Sequence, residues 1–406
     1  MSIINEYLNH QKKYEKKYGI NRTLVLMQVG SFHESYATEE IGPDLRYISN
    51  MLNIVVTRKN KSIKEVSMKN PLMLGFPSLA LQKFLNILIE NQFTVIIIDQ
   101  VTPPPKPKRE ITGIYSPGTH IDRTFNNNES NYIVSICIQE EKQLKKNYKL
   151  LCVGLSAIDL SIGNSFIYQT YSRYEDKYFA LDETLRFINH YNPKEIIISI
   201  NNGDFSKEIK QNNYKGEVIK DFSYLDLLSY LNINDKIVHL LTSKEIKDRN
   251  KISFQNQFLK KIFPDNGMLS PIEYLGLERE DYCRLSFILL LEYAYSHSKN
   301  IILNIKKPEI FDDKKYLHLG NNAIYQLDVL GNKQCLFDII NKTSTPMGSR
   351  YLKNLIASPM IDVKKINLSY DSIDKMLNES LFCKFEEELN GICDIERLHR
   401  RISLHM

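Results

Sequence analysis

Thr23-Leu-Val-Leu-Met-Gln-Val-Gly30 leads directly into Ser31-Phe-His-Glu-Ser-Tyr36. The first run is apolar and closed by glycine, so it reads as a strand ending at a turn. The residues after it carry the chemistry. In an extended strand leaving a sheet, side chains alternate, and Phe32 and Glu34 project to one side. An aromatic ring beside a carboxylate makes a wedge that can enter a DNA minor groove. The ring stacks on an unpaired or weakly paired base, and the acid accepts a hydrogen bond from it. Mismatched bases cost little to unstack, so such a wedge selects weak steps through deformability. A carboxylate facing phosphates also needs cations, which Arg58, Lys59 and Lys61 can supply. The same heptapeptide also reads as plain structure, with Phe32 in a core and Glu34 solvated. His33 reads as a solvated histidine, with pH sensitivity as the functional alternative.

Outward from this stretch, residues 1–123 alternate helices with short apolar strands, a mixed α/β pattern. A lysine-rich helix is expected to end at Gly19 as a left-handed cap, and a second helix to run from Asp44 to Leu52. Ile54–Thr57 reads as a strand, Arg58–Lys61 as a basic loop, Ser78–Asn91 as a helix and Phe93–Asp99 as a strand. Pro103-Pro-Pro-Lys-Pro-Lys-Arg109 is expected to be an exposed loop, because prolines supply no backbone donors to a sheet. The polar run Phe125–Asn131 marks the first boundary.

Residues 132–243 show three alternating strands (Tyr132–Ile138, Leu150–Asp159, Ser165–Tyr171), a helix at Asp176–Tyr191 and a buried strand at Lys194–Ile200. A meander followed by helix and strand is the order of RNase H-like domains. Residues 244–406 read as all-α. Glu278–His297 is apolar all round and therefore buried. Thr345-Pro-Met-Gly-Ser-Arg350 is a helix start with a capping threonine and a first-turn proline. Helical patterns continue over Lys364–Leu377 and from Phe382 to the end, where no stop signal appears. This leads to the expectation that the protein, or its ancestor, continued.

The chain has 406 residues, 43% hydrophobic and 25% charged, which excludes disordered and fibrous classes. No run of 18 uncharged apolar residues occurs, and the N-terminus lacks a signal core. Six cysteines without a CxxC pair point to reduced thiols, and so to an intracellular rather than secreted protein; nucleus, organelle, bacterial cytoplasm and viral factory are not distinguished. The net charge is +5, and residues 1–123 carry all of that excess, with 16 Lys+Arg against 11 Asp+Glu. A polyanion partner for this segment is one reading of that asymmetry. There is no Gly-x-x-x-x-Gly-Lys-Ser/Thr loop, no Gly-x-Gly-x-x-Gly and no His-Glu-x-x-His, so no nucleotide, zinc or other metal site is expected. Asp159 and Glu183 are the carboxylates a metal-dependent nuclease would use, although Asp159-Leu-Ser-Ile-Gly163 is equally well explained as a hairpin turn.

Several motifs recur in one order and resemble the MutS family of DNA mismatch repair proteins. Leu24–Tyr36 resembles the family's Phe-x-Glu motif. Leu52–Lys59, Pro71-Leu-Met-Leu-Gly-Phe-Pro77, Leu81–Asn91 and Ser116-Pro-Gly-Thr119 resemble the rest of the same domain. Thr343–Leu352 and Asp394-Ile-Glu-Arg-Leu-His-Arg-Arg-Ile402 resemble its core-domain motifs. Two positions depart from the pattern: His33 replaces the usual aromatic residue, and Ser31 a common aspartate. The resemblance implies a mismatch-recognition domain (1–123), an RNase H-like connector (132–243) and a partial helical core and lever domain (244–406). It implies that Phe32 stacks on the mispaired base and that Glu34 hydrogen-bonds it; Arg58 and Lys59, in the basic loop, are the further DNA-binding residues expected. The implied partners are double-stranded DNA with mismatches or small loops, a MutS-type dimer partner and MutL, with no membrane. ATP and Mg belong to the family's ATPase domain, for which this chain has no motif, so no enzymatic activity and no cofactor are expected of it. An adaptor that binds repair partners without recognising DNA is the alternative.

Overall fold

Thr23–Val29 folds as strand β1 and Phe32–Ala37 as β2, joined by the turn Gly30-Ser31. Gly30 has φ +62°, a positive value that tight hairpin turns require and glycine adopts without penalty. The computed structural model describes residues 3–103, 107–121, 129–142, 149–200, 217–219, 222–317, 323–331 and 334–405. Pro104–Lys106 of the proline run, and all of the expected linker before Glu129, lie outside those residues. The chain forms two compact units: Met1–Asp122 with Ala294–Lys299, and Arg123–Tyr293 with Asn300–Met406.

In the first unit, β3 (Thr57–Arg58), β4 (Leu72–Pro77), β5 (Thr94–Gln100) and β6 (Arg109–Tyr115) join the hairpin in one sheet, ordered β3-β4-β2-β1-β5-β6. Helices α2 (Leu45–Leu52) and α3 (Leu81–Glu90) cover one face, where Leu45, Ile48, Leu85 and Leu88 pack with Leu24, Leu26, Leu74 and Val95. Helix α1 (Ile3–Tyr18) covers part of the other face. There Tyr7 meets Tyr36 edge-on at 5.4 Å, and Gln11 bonds the Val25 N–H and the Thr23 carbonyl. Asp44 caps α2 by accepting from Arg46 and Tyr47 N–H.

Several sequence expectations change in this unit. Strand β2 does not leave the sheet but lies between β1 and β4. Pairing with β4 begins only at Thr57, so Ile54–Val56 are not strand and Arg58 is. Arg109 opens a strand rather than ending a loop, because β5 offers its free edge to it. Gly19 has φ 105° and ψ 143°, an extended glycine conformation and not a left-handed helical cap.

In the second unit, β7 (Tyr132–Lys142), β8 (Lys149–Asp159) and β9 (Asn164–Tyr171) form an antiparallel meander. Helix α4 (Phe179–Tyr191) follows, and β10 (Glu195–Ile200) then pairs parallel to β7. Ile237–Leu241, a strand not anticipated from the sequence, extends the sheet parallel to β10. Beyond β9 lies Glu309–Ile310, so the segment read as all-α contributes a strand to this sheet. One sheet face packs on α4 through Leu185, Phe187 and Ile188. The other packs on helix Asp281–His297, as its apolar run suggested, with Leu285 and Leu289 beside Cys137. Gly154 permits that approach, since a Cβ there would lie 2.0 Å from the Tyr282 carbonyl carbon.

The two C-terminal motifs meet. Arg350, near the start of helix Pro346–Ala357, forms a bidentate pair with buried Asp394 at 2.5 and 2.9 Å. Arg400 is buried and donates to the carbonyls of Leu160, Ile301 and Leu303, with burial pulling its pKa down to about 10. Asp394 caps helix Ile395–Ser403, and the helical pattern expected to run from Phe382 to the end breaks between Leu389 and Ile395. Helices Val363–Asn378 and Leu381–Leu389 bury none of their residues. Among the described residues, no helix is long and apolar enough to cross a membrane.

Candidate nucleic-acid interface

The β1–β2 register pairs Met27 with Glu34 and Val29 with Phe32, and on the other side β4 sets Gly75 opposite Glu34 and Pro77 opposite Phe32. Alternation then puts Phe32, Glu34 and Tyr36 on the α1 face, with His33 and Ser35 on the α2–α3 face. Phe32 is 44% exposed at the end of the strand, so it is not a core residue. Leu79, just beyond β4, and Val101, just beyond β5, are exposed at the same end of the sheet. The surface is apolar where a base would have to stack.

Glu34 is half-buried and accepts a hydrogen bond from the Tyr36 hydroxyl. Its side chain lies over Gly75, where a Cβ would sit 3.0 Å from Glu34 Cγ. Burial, and then the bond to the Glu34 carboxylate, pushes the Tyr36 hydroxyl well above the usual phenol range. Arg109 pulls it slightly the other way, so this cation acts on the site electrostatically. Arg109 Nε also donates to the Gln28 carbonyl at 3.1 Å, while the Gln100 N–H donates to Gln28 Oε1 at 2.9 Å.

His33 is not solvated. It is 3% exposed, lies against Phe76, and places Nε2 2.9 Å from Asp99 Oδ1, while Asp99 Oδ2 accepts from Thr112. Strands β2, β5 and β6 are thus tied together by polar side chains beneath the exposed end.

Arg58 and Lys59 are elsewhere. Arg58 pairs with Leu72, which pairs with Ala37, five residues along β4 from the partner of Phe32. That is about 16 Å of strand from Phe32 and about 10 Å from Glu34, whose partner Gly75 lies three residues from Leu72. Arg58 thus stands one screening length, ~10 Å at 0.1 M salt, from the carboxylate. The same register turns Arg58 toward the α2–α3 face. Its guanidinium donates to the Lys64 and Lys61 carbonyls at 2.8 and 3.4 Å, fastening the basic loop, and Lys59 is exposed. With Arg46, Lys61 and Lys64, Arg58 lines a separate cleft of about 1100 Å³. The cations expected around Glu34 are therefore not beside it. Arg109, Tyr36 and Leu79 were not singled out from the sequence. The basic end of the proline run was the available signal for Arg109, while nothing local marked the other two.

Asp159 and Glu183 form no metal centre. Asp159 is fully buried and accepts from Asn131 N–H, Ser161 N–H and Ser161 Oγ, which explains it as a turn residue. Glu183 is buried against the Tyr168 hydroxyl and Arg186. Among the described residues, no cluster of three metal-binding side chains occurs.

Comparison with known proteins now bears on this geometry. Residues 6–124 match the family model MutS domain I, and residues 315–406 match MutS domain III. The chain belongs to the MutS family. It is 36% identical, over 99% of its length, to a putative DNA mismatch repair protein, a mutS homolog of Acanthamoeba polyphaga mimivirus, of which it spans 37%. It is 26% identical over 98% of its length to the DNA mismatch repair protein MutS of Caldanaerobacter subterraneus subsp. tengcongensis, spanning 40% of it. With MutS of Methanosarcina barkeri the identity is 25% over 96% of the chain, again 40% of that protein. The chain thus spans about two fifths of the length of these MutS relatives. The MutS domain I match contains the whole β1–β2 hairpin, and the MutS domain III match contains both Arg350 and Asp394.

Proposed function

We propose that this chain recognises mismatched or small-loop duplex DNA in mismatch repair, with Phe32 stacking on the mispaired base and Glu34 accepting its hydrogen bond. The observation that carries the reading is the 44% exposure of Phe32 at an open sheet end, on the same side as Glu34. The net positive charge of residues 1–123 supports a polyanionic partner. Arg109, rather than Arg58 or Lys59, is the cation that complements this end, and Arg58 and Lys59 serve general backbone contact if they touch DNA. On this reading residues 132–243 are an RNase H-like connector without nuclease chemistry, and 244–406 part of a core and lever domain. The chain binds no nucleotide and needs no cofactor for recognition.

The test compares a mismatched duplex with its homoduplex at matched salt. Phe32→Ala should cost about 1–3 kcal/mol of mismatch preference through lost stacking. Its effect on stability should stay below about 1 kcal/mol, against the 3–5 kcal/mol typical of a core phenylalanine. A Phe32→Ala protein that unfolds, or that discriminates as well as the wild type, removes the wedge.

A second reading has its own support. Leu368, Tyr370, Ile373, Phe382 and Phe385 are all at least 40% exposed, on the two helices that bury nothing. Such a surface suits a protein partner, a second MutS-type chain or MutL among them. Retained partner capture by a chain without mismatch preference would favour this adaptor role.

A further inference from the structure

We propose that Tyr36 is a positioning residue for base reading: its hydroxyl holds the Glu34 carboxylate in its acceptor pose and supplies neutral compensation at short range, beside the longer-range field of Arg109. The inference rests on the base-reading role of Phe32 and Glu34 and deepens it.

A carboxylate turned toward DNA loses hydration and faces phosphates, so it needs a favourable partner. The cations the sequence offered for this, Arg58 and Lys59, lie at the far end of the sheet. What Glu34 has instead is the Tyr36 O–H, two residues along the same strand and on the same face. That bond occupies Oε2 and, among the described residues, leaves Oε1 without a hydrogen bond. A donor from a base edge could use it.

The donor is itself fixed. Tyr36 is 2% exposed and packs edge-on against Tyr7 of α1, which is fully buried. Its burial beside a carboxylate keeps the phenol protonated, so it remains a donor across the whole working pH range. On the opposite side of Glu34, Gly75 leaves room for Cγ, where any Cβ would press at 3.0 Å. The carboxylate is therefore held between a rigid O–H and a vacant Cα. Neutral compensation also serves selectivity. A lysine at this place would attract every duplex through its phosphates, whereas a buried hydroxyl adds nothing to homoduplex binding.

The test is a double-mutant cycle on the full chain, read as the ratio of affinities for a duplex with one G·T mismatch and its homoduplex. Tyr36→Phe keeps every ring carbon against Tyr7 and removes only the donor. It should lower the ratio about tenfold, the scale of one hydrogen bond to a charged group. In a Glu34→Ala background the same change should have no further effect, which a purely structural role would not produce. An unchanged ratio in folded Tyr36→Phe overturns the inference, and so does an equal loss in the Glu34→Ala background. Failure of Tyr36→Phe to fold also overturns it, since the hydroxyl would then serve the fold. If wild type discriminates and Phe32→Ala does not, yet Tyr36→Phe matches wild type, only the Tyr36 role is lost. If wild type itself shows no preference, base reading and the Tyr36 role are rejected together.

Discussion

The hairpin β1–β2 in the first unit and the hairpin β8–β9 in the second each carry a carboxylate that reads as chemistry in the sequence, and they use it in opposite ways. Glu34 accepts one hydrogen bond and stays half-buried beside an exposed phenylalanine. Asp159 is fully buried and spends its oxygens on three donors of its own neighbourhood. The same contrast extends to a glycine in each sheet. Gly75 makes room for a side chain, Glu34, whereas Gly154 makes room for the backbone of a packing helix at Tyr282. A carboxylate becomes available for a ligand only where the fold leaves it under-satisfied at low cost.

The largest effect is expected at Gly154. Gly154→Ala should cost more than about 3 kcal/mol, because backbone at 2.0 Å cannot yield as a flexible side chain can. Urea unfolding measures it, and a near-neutral result would mean the helix sits less firmly on the sheet. Asp159→Ala should come next, costing about 2–3 kcal/mol by stranding its donors, while mismatch preference in the folded protein stays unchanged. Gly75→Ala should be milder for stability, about 1–2 kcal/mol, since of its tight neighbours Glu34 Cγ at 3.0 Å can give and only the His33 carbonyl oxygen at 3.2 Å is backbone. Its signature is instead a severalfold fall in mismatch preference as Glu34 is pushed from its pose. The smallest effect is expected at the other end of the sheet. Arg58→Ala should leave the ratio of mismatched to homoduplex binding unchanged and alter only total affinity, with at most about one unit off the salt slope. A changed ratio would place the basic cleft in base reading after all.

Much of this was legible because it rests on local periodicity. The alternation of Phe32 and Glu34, the helix that follows Asp44, the meander of β7 to β9 and the burial of Leu285–Leu291 follow from residue type and spacing. The sequence was misleading where a neighbour in space outweighed local preference. Arg58 and Lys59 are close to Phe32 in the chain's list of cations and far from it on the sheet, because β3 pairs with the opposite end of β4. His33 looked solvated among polar residues, yet an intervening strand brings Asp99 beneath it. Glu309–Ile310 has no strand signature of its own and is a strand only because β9 offers an open edge.

By itself, the sequence determined which side chains share a face, the main helices and strands of residues 1–123 and 132–200, and the family to which the motifs belong. Those properties follow from backbone geometry repeating every two or 3.6 residues, which needs no knowledge of distant chain. Only the tertiary structure decided that Phe32 is exposed, that Tyr36 donates its hydrogen bond to Glu34, and that Asp159 is closed to ligands. Exposure and hydrogen-bond satisfaction depend on what packs from elsewhere in the chain, and Gly75, Tyr7 and Asn131 reach these sites only through folding.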